Sequence, residues 1–444
     1  MKIIIAGDGE TGTHIANILS VEGQDVVLIG SDREHLAGLE AVSNFITFDG
    51  SPLSRSNLLE CGVNSANLFV AVTPDENANL VACQIAKDCG AERCVARVDN
   101  SEYEAPADSA MFRRFGVDMT IYSDKLAAEE AYRFIENSWA VDRFELHNGA
   151  LVVVGVRMNA GGSMCGKQLQ QISGNPRLFH VVAIKRGDSM IIPRGSDVLR
   201  QDDIVYFALT EDNCRILPPL CGQSTISVRK IMITGAGRVT ENLLEMLGHR
   251  YQVTVIDPDA DRCDYIASRF DNVVVVNTKA NDITALTDEG IGSCDIFLSL
   301  TGSSEKNIVA CMVAREHGVP RTAARIEELQ YIDEAESLSI DRIINKKILN
   351  SGKIMAMLFD KDMSATRRLT FGQAEVADIV AKQGAKITSA TLAELKLPRD
   401  ITVGGVIRGN RGFFAEGRTQ ILPGDHVVIF YSPGALNKVS RYVN

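Results

Sequence analysis

The chain has 444 residues, 45% of them hydrophobic and 23% charged, which predicts about two to four domains and excludes a disordered chain. Lys plus Arg number 46 against 57 Asp plus Glu; a net charge of −11 gains little from counterion release on a polyphosphate, so no nucleic-acid partner is expected. No run of about 18 apolar residues occurs, so no segment is expected to span a membrane.

The start, Met1-Lys2-Ile3-Ile4-Ile5-Ala6-Gly7, lacks the apolar core of a secretory signal, and the protein is expected to stay in the cytoplasm. Residues 3–6 form a predicted strand, and 13–21 a helix with Ile15, Ala16, Ile18 and Leu19 on one stripe. Further strands are predicted over 26–29, 45–48, 68–72 and 94–98. Short buried strands alternating with helices argue for a parallel sheet. A helical connector follows, with a stripe of Ala127, Ala131, Phe134 and Ile135. Beyond it, apolar runs at 150–157, 180–185, 190–193 and 204–208 are strand-like, separated by Gly, Asp and Pro, with only 167–172 helical in pattern. This reads as a small β-rich module that gains stability by pairing.

The same series then begins again. Lys2-Ile-Ile-Ile-Ala-Gly7-Asp-Gly9 recurs as Lys230-Ile-Met-Ile-Thr-Gly235-Ala-Gly237, an offset of 228 residues. Thr73, Asn79 and Arg97 meet Thr301, Asn307 and Arg325 at that offset. Strands are predicted at 231–234, 253–256, 273–276, 296–300 and 322–326. A second connector carries Ile348, Met355, Leu358 and Phe359, and the tail over 373–431 reads like the first β-rich module. There the offset is 222, and Arg186 and Asp203 meet Arg408 and Asp425, each pair 17 residues apart. The expected fold is α/β: two tandem doubly wound, Rossmann-like parallel sheets, each followed by a small β-rich α+β lobe. The expected boundaries are 1–123, a crossover helix at 124–139, 140–222, 228–344, a second crossover helix at 345–362, and 363–444. Each connector is either a plain core helix or a dimer-forming crossover.

Gly7-Asp8-Gly9-Glu10-Thr11-Gly12 has G-x-G-x-x-G spacing after a strand and before a helix. There the first glycine permits a tight turn, the second admits a pyrophosphate to the backbone, and the third allows helix and strand to pack closely. A carboxylate is expected at the tip of the next strand to bind ribose hydroxyls, but Gly30 stands there, with Asp32 two residues on as a substitute. Alternatively Gly30 and Ser31, near Arg33, accommodate a 2′-phosphate. The second turn, Gly235-Ala236-Gly237-Arg238-Val239-Thr240, has lost its third glycine to Thr240, which is expected to push helix and strand apart, and it keeps Asp257 at the strand tip. Thr73, followed by Pro74, and Thr301 end the fourth strands, where a hydroxyl or amide can meet a nucleotide. Asp49 can meet the adenosine end. Arg97 and Arg325 lie in apolar strands and need an anion, either a phosphate or a neighbouring carboxylate.

No G-x-S-x-G, H-E-x-x-H or G-x-x-x-x-G-K-[ST] pattern occurs, and His14 and His180 belong to no catalytic pattern. The ten cysteines form no C-x-x-C pair and the seven histidines are scattered, so a reducing compartment and no metal site are expected.

These motifs, with Asp49-Gly50-Ser51, the run from Ala71 to Asn79, Ala96-Arg97-Val98 and their echoes, resemble the TrkA family. Its members are regulatory subunits of Trk-type potassium uptake systems, built from two tandem RCK units (regulator of conductance of potassium). Gly166-Lys-Gln-Leu169 and Ala183-Ile-Lys-Arg186-Gly187 resemble its C-terminal lobes. The resemblance implies a cytosolic, non-enzymatic subunit that binds NAD+ or NADH, or ATP or ADP, and docks at the inner face of the membrane on a potassium-translocating partner. It also implies a homotetramer, four chains supplying eight RCK units. Gly30 and Thr240 depart from the family pattern. An NAD(P)-dependent oxidoreductase with duplicated cofactor folds and a purely structural ring protein are the competing classes.

Overall fold

The structure, a computed structural model, describes all residues except 22, 41, 105–110, 138, 147–149, 173–177, 188, 224–227, 280–282, 339, 360–365, 369–374, 410, 433–435 and 444. The ends of the two expected crossover segments, at 138 and 360–362, and the expected start of the tail at Gln373 lie outside the described residues.

The first half opens with β1 (Lys2–Ala6), β2 (Asp25–Gly30), β3 (Ile46–Asp49), β4 (Leu68–Ala71), β5 (Cys94–Val98) and β6 (Met119–Tyr122). They form one parallel sheet in the order β3-β2-β1-β4-β5-β6. Ile3, Ile4 and Ile5 of the central strand are fully buried, as a strand covered on both faces requires. The strand order reverses between β1 and β4, so the chain leaving β1 enters a crevice at the carboxyl edge of the sheet. The glycine turn lies at that point.

Next come β7 (Asp142–Leu146), β8 (Leu151–Arg157), β9 (His180–Arg186), β10 (Ser189–Ile191) and β11 (Ile204–Leu209), an antiparallel sheet in the order β10-β9-β11-β8-β7. The second half repeats both sheets. β12 (Lys230–Thr234), β13 (Gln252–Asp257), β14 (Val273–Asn277), β15 (Ile296–Ser299), β16 (Arg321–Arg325) and β17 (Arg342–Ile344) adopt the order β14-β13-β12-β15-β16-β17. β18 (Thr366–Arg368), β19 (Glu375–Val380), β20 (Ile401–Arg408), β21 (Arg411–Phe414) and β22 (His426–Tyr431) adopt the order β18-β19-β22-β20-β21. The fold is therefore two tandem Rossmann-like α/β sheets, each followed by a small β-rich lobe. The sixth strands, β6 and β17, are not apparent in the sequence; they are only four and three residues long.

The chain packs into two compact units, each built from both halves: residues 1–132 with 229–354, and 133–228 with 355–444. The first unit contains both parallel sheets. In the second, the antiparallel sheets share one apolar cluster, with Leu151, Val153 and Tyr206 joining Ile407, Val428 and Phe430. The sheets approach so closely at Gly412 that a Cβ there would stand 2.1 Å from the carbonyl oxygen of Ala150. The repeated Arg–Asp spacing is a forked ion pair. Arg186 donates Nε and Nη2 to the two carboxylate oxygens of Asp203, each at 2.8 Å, and Arg408 does the same to Asp425 at 2.8 and 2.7 Å.

The helix Ser123–Glu136 buries Ala127, Ala131, Phe134 and Ile135, the stripe expected from sequence. The helix Lys346–Phe359 differs. Ile348 is 46% exposed, and the buried face carries Lys347, Asn350, Ser351 and Ile354. That i, i+3, i+4, i+7 stripe is three-quarters polar, so Ile348 is not part of the buried face; the side chains of Met355, Leu358 and Phe359 lie outside the described residues.

Candidate nucleotide-binding site

The glycines of the turns serve different ends. Gly7 has φ of +124° and Gly235 +99°; a Cβ on either would stand 3.0 and 2.9 Å from the backbone nitrogen of Thr73 and Thr301. These two are glycines because the chain itself passes too close. At Gly9 and Gly237 the opposite holds. A Cβ would meet nothing within 4 Å, and neither backbone is left-handed. Each sits at the start of a helix, Glu10–Val21 or Arg238–Leu247, whose first amides face outward.

At the third glycine the halves diverge. A Cβ on Gly12 would lie 1.8 Å from the carbonyl oxygen of Gly7. Its counterpart Thr240 is fully buried, and its hydroxyl donates to the carbonyl oxygen of Gly235. A hydrogen bond thus accommodates the larger side chain. Val239 beside it is buried, while Thr11 is half-buried and Glu10 exposed.

The carboxylates have also changed places. Gly30 pairs with Asp49 and Asp257 with Asn277, so Gly30 and Asp257 hold the same strand-tip position. Asp257 accepts from the N–H of Ala236 at 2.7 Å and of Asp259 at 2.8 Å. In the first half the carboxylate beside the strand tip is that of Asp8, which accepts from the N–H of Asp32 at 2.7 Å. The expected substitute, Asp32, is instead a helix cap, its carboxylate accepting from the N–H of His35 at 3.0 Å. Ser31 and Pro74 are exposed, and Asp49 lies 3.9 Å from Arg33 at the exposed end of β3.

Thr73 and Thr301 do not present free groups to the crevice. The N–H and hydroxyl of Thr73 both donate to Oδ1 of Asn79, at 2.9 and 2.7 Å, while Nδ2 of Asn79 donates to the carbonyls of Thr73 and Arg97, each at 3.0 Å. Asn307 holds Thr301 and Arg325 in the same manner. Both asparagines are fully buried and tie the loop after the fourth strand to the end of the fifth. Sequence reading missed this role, although their recurrence at the 228 offset was its signal.

The arginines find carboxylates two residues on. Arg97 donates Nη2 to both oxygens of Asp99, at 3.2 and 3.3 Å, and Arg325 donates Nε to Glu327. These are the neighbouring carboxylates of the sequence alternatives; Nε of Arg97 is buried without a partner among the described residues.

Within the first unit one cavity adjoins both glycine turns. A polar cavity of about 320 Å³ is lined by Thr11, Arg97 and Asp99 of the first half with Arg238, Glu327 and Lys347 of the second. Arg238 donates to the carbonyl oxygen of Asp99 at 3.1 Å. Lys347 donates to the carbonyl oxygen of Glu327 at 2.7 Å and pairs with Glu10.

Burial pushes the Cys61 thiol up to about 11, although Lys2 opposes the shift, and the Cys221 thiol up to about 12, so both behave as small hydrophobes. Among the described residues no cluster of His, Cys, Asp and Glu could hold a metal ion, and no helix is long and apolar enough to cross a membrane.

Comparison with known proteins bears on the family and the fold. The TrkA-N domain model matches residues 3–123 and 231–346, and the TrkA-C domain model matches 153–216 and 376–444. The Trk system potassium uptake protein TrkA of Halomonas elongata is 28% identical over 436 residues, covering 97% of this chain and 95% of its own. A TrkA homolog of Archaeoglobus fulgidus is 27% identical, covering 99% of both chains. Among solved structures, the GsuK RCK domain aligns with a TM-score of 0.61 at 16% identity, over 100% of this chain and 94% of that one. The GsuK channel bound to NAD aligns with a TM-score of 0.60 at 16% identity, over 100% of this chain and 78% of that one. The structural likenesses establish the RCK fold.

Proposed function

The chain belongs to the TrkA family, its two halves each matching a TrkA-N and a TrkA-C domain, and from that membership we propose that it is the nucleotide-binding regulatory subunit of a potassium uptake system. The observation that carries the reading is the open space at Gly9 and Gly237. Nothing among the described residues requires glycine at either position, whereas a pyrophosphate resting on the backbone does. The full-length relatives named as potassium uptake proteins support the transport role, and the NAD-bound and ADP-bound forms of the GsuK channel support the ligand class.

The ligand is NAD+ or NADH, with ADP or ATP as competitors for the same crevice. Gly7, Gly9 and Gly12 with Glu10 and Thr11 would receive it in the first half, and Gly235, Ala236, Gly237, Arg238 and Asp257 in the second. The subunit works in the cytoplasm as a homotetramer docked on a membrane potassium transporter at its inner face. Because the crevices of the two halves border one cavity, a ligand that binds one arrangement of the two sheets more tightly than another shifts the ring between shapes. A tenfold effect on the partner needs about 1.4 kcal/mol of such coupling.

Calorimetric titration of the full chain with NAD+, NADH, ATP and ADP tests the reading. Saturable binding that Gly9→Val and Gly237→Val together abolish is expected. Absence of binding by the wild-type chain, or steady turnover of the bound cofactor with any alcohol or hydroxy acid, would overturn it.

A further inference from the structure

Two differences between the halves, 22 residues apart in sequence in the first and 21 in the second, are one event in space. At the second position of the glycine turn the first half has Asp8 and the second Ala236; at the tip of the second strand the first half has Gly30 and the second Asp257. Each half thus owns one carboxylate in the gap between turn and strand tip, supplied from opposite walls. In both, it accepts an N–H from the wall across the gap at 2.7 Å, from Asp32 in the first half and from Ala236 in the second.

In the first half the two positions exclude each other. A Cβ built on Gly30 would stand 2.2 Å from Cγ and Oδ2 and 2.3 Å from Cβ of Asp8, so the strand tip can carry no side chain while Asp8 lies there. Gly30 is therefore not a loss of the ribose-binding acid. It is the space into which another acid has moved.

We propose that Asp8 is the ribose-recognising, specificity-determining carboxylate of the first site, acting from the glycine turn where Asp257 acts from the strand tip. The assignment rests on the nucleotide reading given above. Asp8 is half-buried, and its Oδ2 is oriented by the Asp32 amide. An ionised carboxylate is an acceptor only, with about four lone-pair positions, so Oδ1 remains to receive the hydroxyls of a ribose diol. The same charge repels a 2′-phosphate, which removes the alternative that Gly30 and Ser31 open the first site to phosphorylated dinucleotides.

The test uses the full chain carrying Gly237→Val, so that the first site alone reports, titrated with NADH and NADPH by calorimetry. Asp8→Ala is expected to weaken NADH binding at least tenfold and to narrow the preference over NADPH. Asp8→Gly with Gly30→Asp, which also removes the Cβ that would stand 2.3 Å from a side chain at residue 30, returns the acid to the strand tip and should restore both. Without ligand, Gly30→Asp alone should lower the melting temperature by its clash with Asp8, and the double variant should recover it. Unchanged NADH affinity and preference in Asp8→Ala would overturn the assignment, as would a double variant that regains wild-type melting but not binding. If the Gly237→Val chain with Asp8 intact takes up no NADH, the nucleotide reading of the first site fails and this assignment with it. A melting cycle that behaves as expected would then identify Asp8 as a structural staple only.

Discussion

Arg238, the first residue of the helix behind the second glycine turn, donates to the carbonyl oxygen of Asp99 in the other half of the chain at 3.1 Å. Asp99 in turn holds Arg97 at the end of β5. The reverse connection runs from Glu10, at the start of the first helix, through Lys347 to the carbonyl of Glu327, which holds Arg325. Each glycine turn thus touches the arginine end of the opposite sheet. Lys347→Ala, outside both glycine turns, is expected to leave both sites able to bind but to make them more nearly independent. In a two-site fit of NADH calorimetry, the ratio of the two dissociation constants should move toward that of uncoupled sites; an unchanged ratio would count against the connection.

The two leading glycines should respond in opposite ways to a side chain. Gly9→Val adds bulk where the chain offers open space, so circular dichroism and melting should stay near wild type while the first site loses nucleotide. Gly7→Ala places a Cβ against the Thr73 backbone at φ of +124° and should destabilise the fold by roughly 1–3 kcal/mol. Chemical denaturation of both variants distinguishes them.

The forked ion pairs of the β-rich lobes should matter for stability. Asp203 is buried while the Arg186 side chain is 30% exposed, so Asp203→Asn is expected to cost roughly 2–3 kcal/mol, somewhat less than a fully buried pair. In the equivalent pair, burial raises the Asp425 carboxyl pKa, but the bonds from Arg408 and the Leu422 N–H outweigh it and hold the group below the usual carboxylate range. Its stabilisation is therefore complete above the unfolded value, about pH 4, and is lost as pH falls through the folded value. Urea unfolding between pH 2.5 and 6 should show a shallower acid slope for Asp425→Asn than for wild type.

His180, at the start of β9, provides a second pH signature. Burial lowers its imidazole from 6.5 to about 4, against an opposing pull from Glu416. The unfolded chain takes up the proton first, so stability is full above about pH 6.5 and falls as pH drops from 6.5 toward 4. His180→Gln should remove the part of the slope in that window, as read by denaturation at half-unit pH steps.

Apolar strand runs, two glycine turns and a constant offset made the parallel sheets and their duplication legible in sequence. What stayed hidden depends on proximity that sequence does not contain. Asp8 and Gly30 look like two unrelated departures until the turn and the strand tip lie side by side. Asn79 and Asn307 are polar residues on helices, weak as local signals, and acquire a role only against the loop and strand they join. Lys347, Asn350 and Ser351 form a buried stripe that any hydrophobic count assigns to solvent. Arg97 and Arg325 were legible as charges needing an anion, but the choice of a partner two residues on is a matter of side-chain direction.

Potassium uptake measured in cells whose only copy of this subunit is the wild-type chain or the Gly9→Val, Gly237→Val double variant tests the central claim most directly. With the cellular NADH pool raised and lowered, uptake through the wild-type chain should change severalfold, and uptake through the variant should stay constant although the variant still binds its membrane partner. Wild-type uptake indifferent to the nucleotide pool, or a variant that responds as the wild type does, would contradict nucleotide control of transport by this protein.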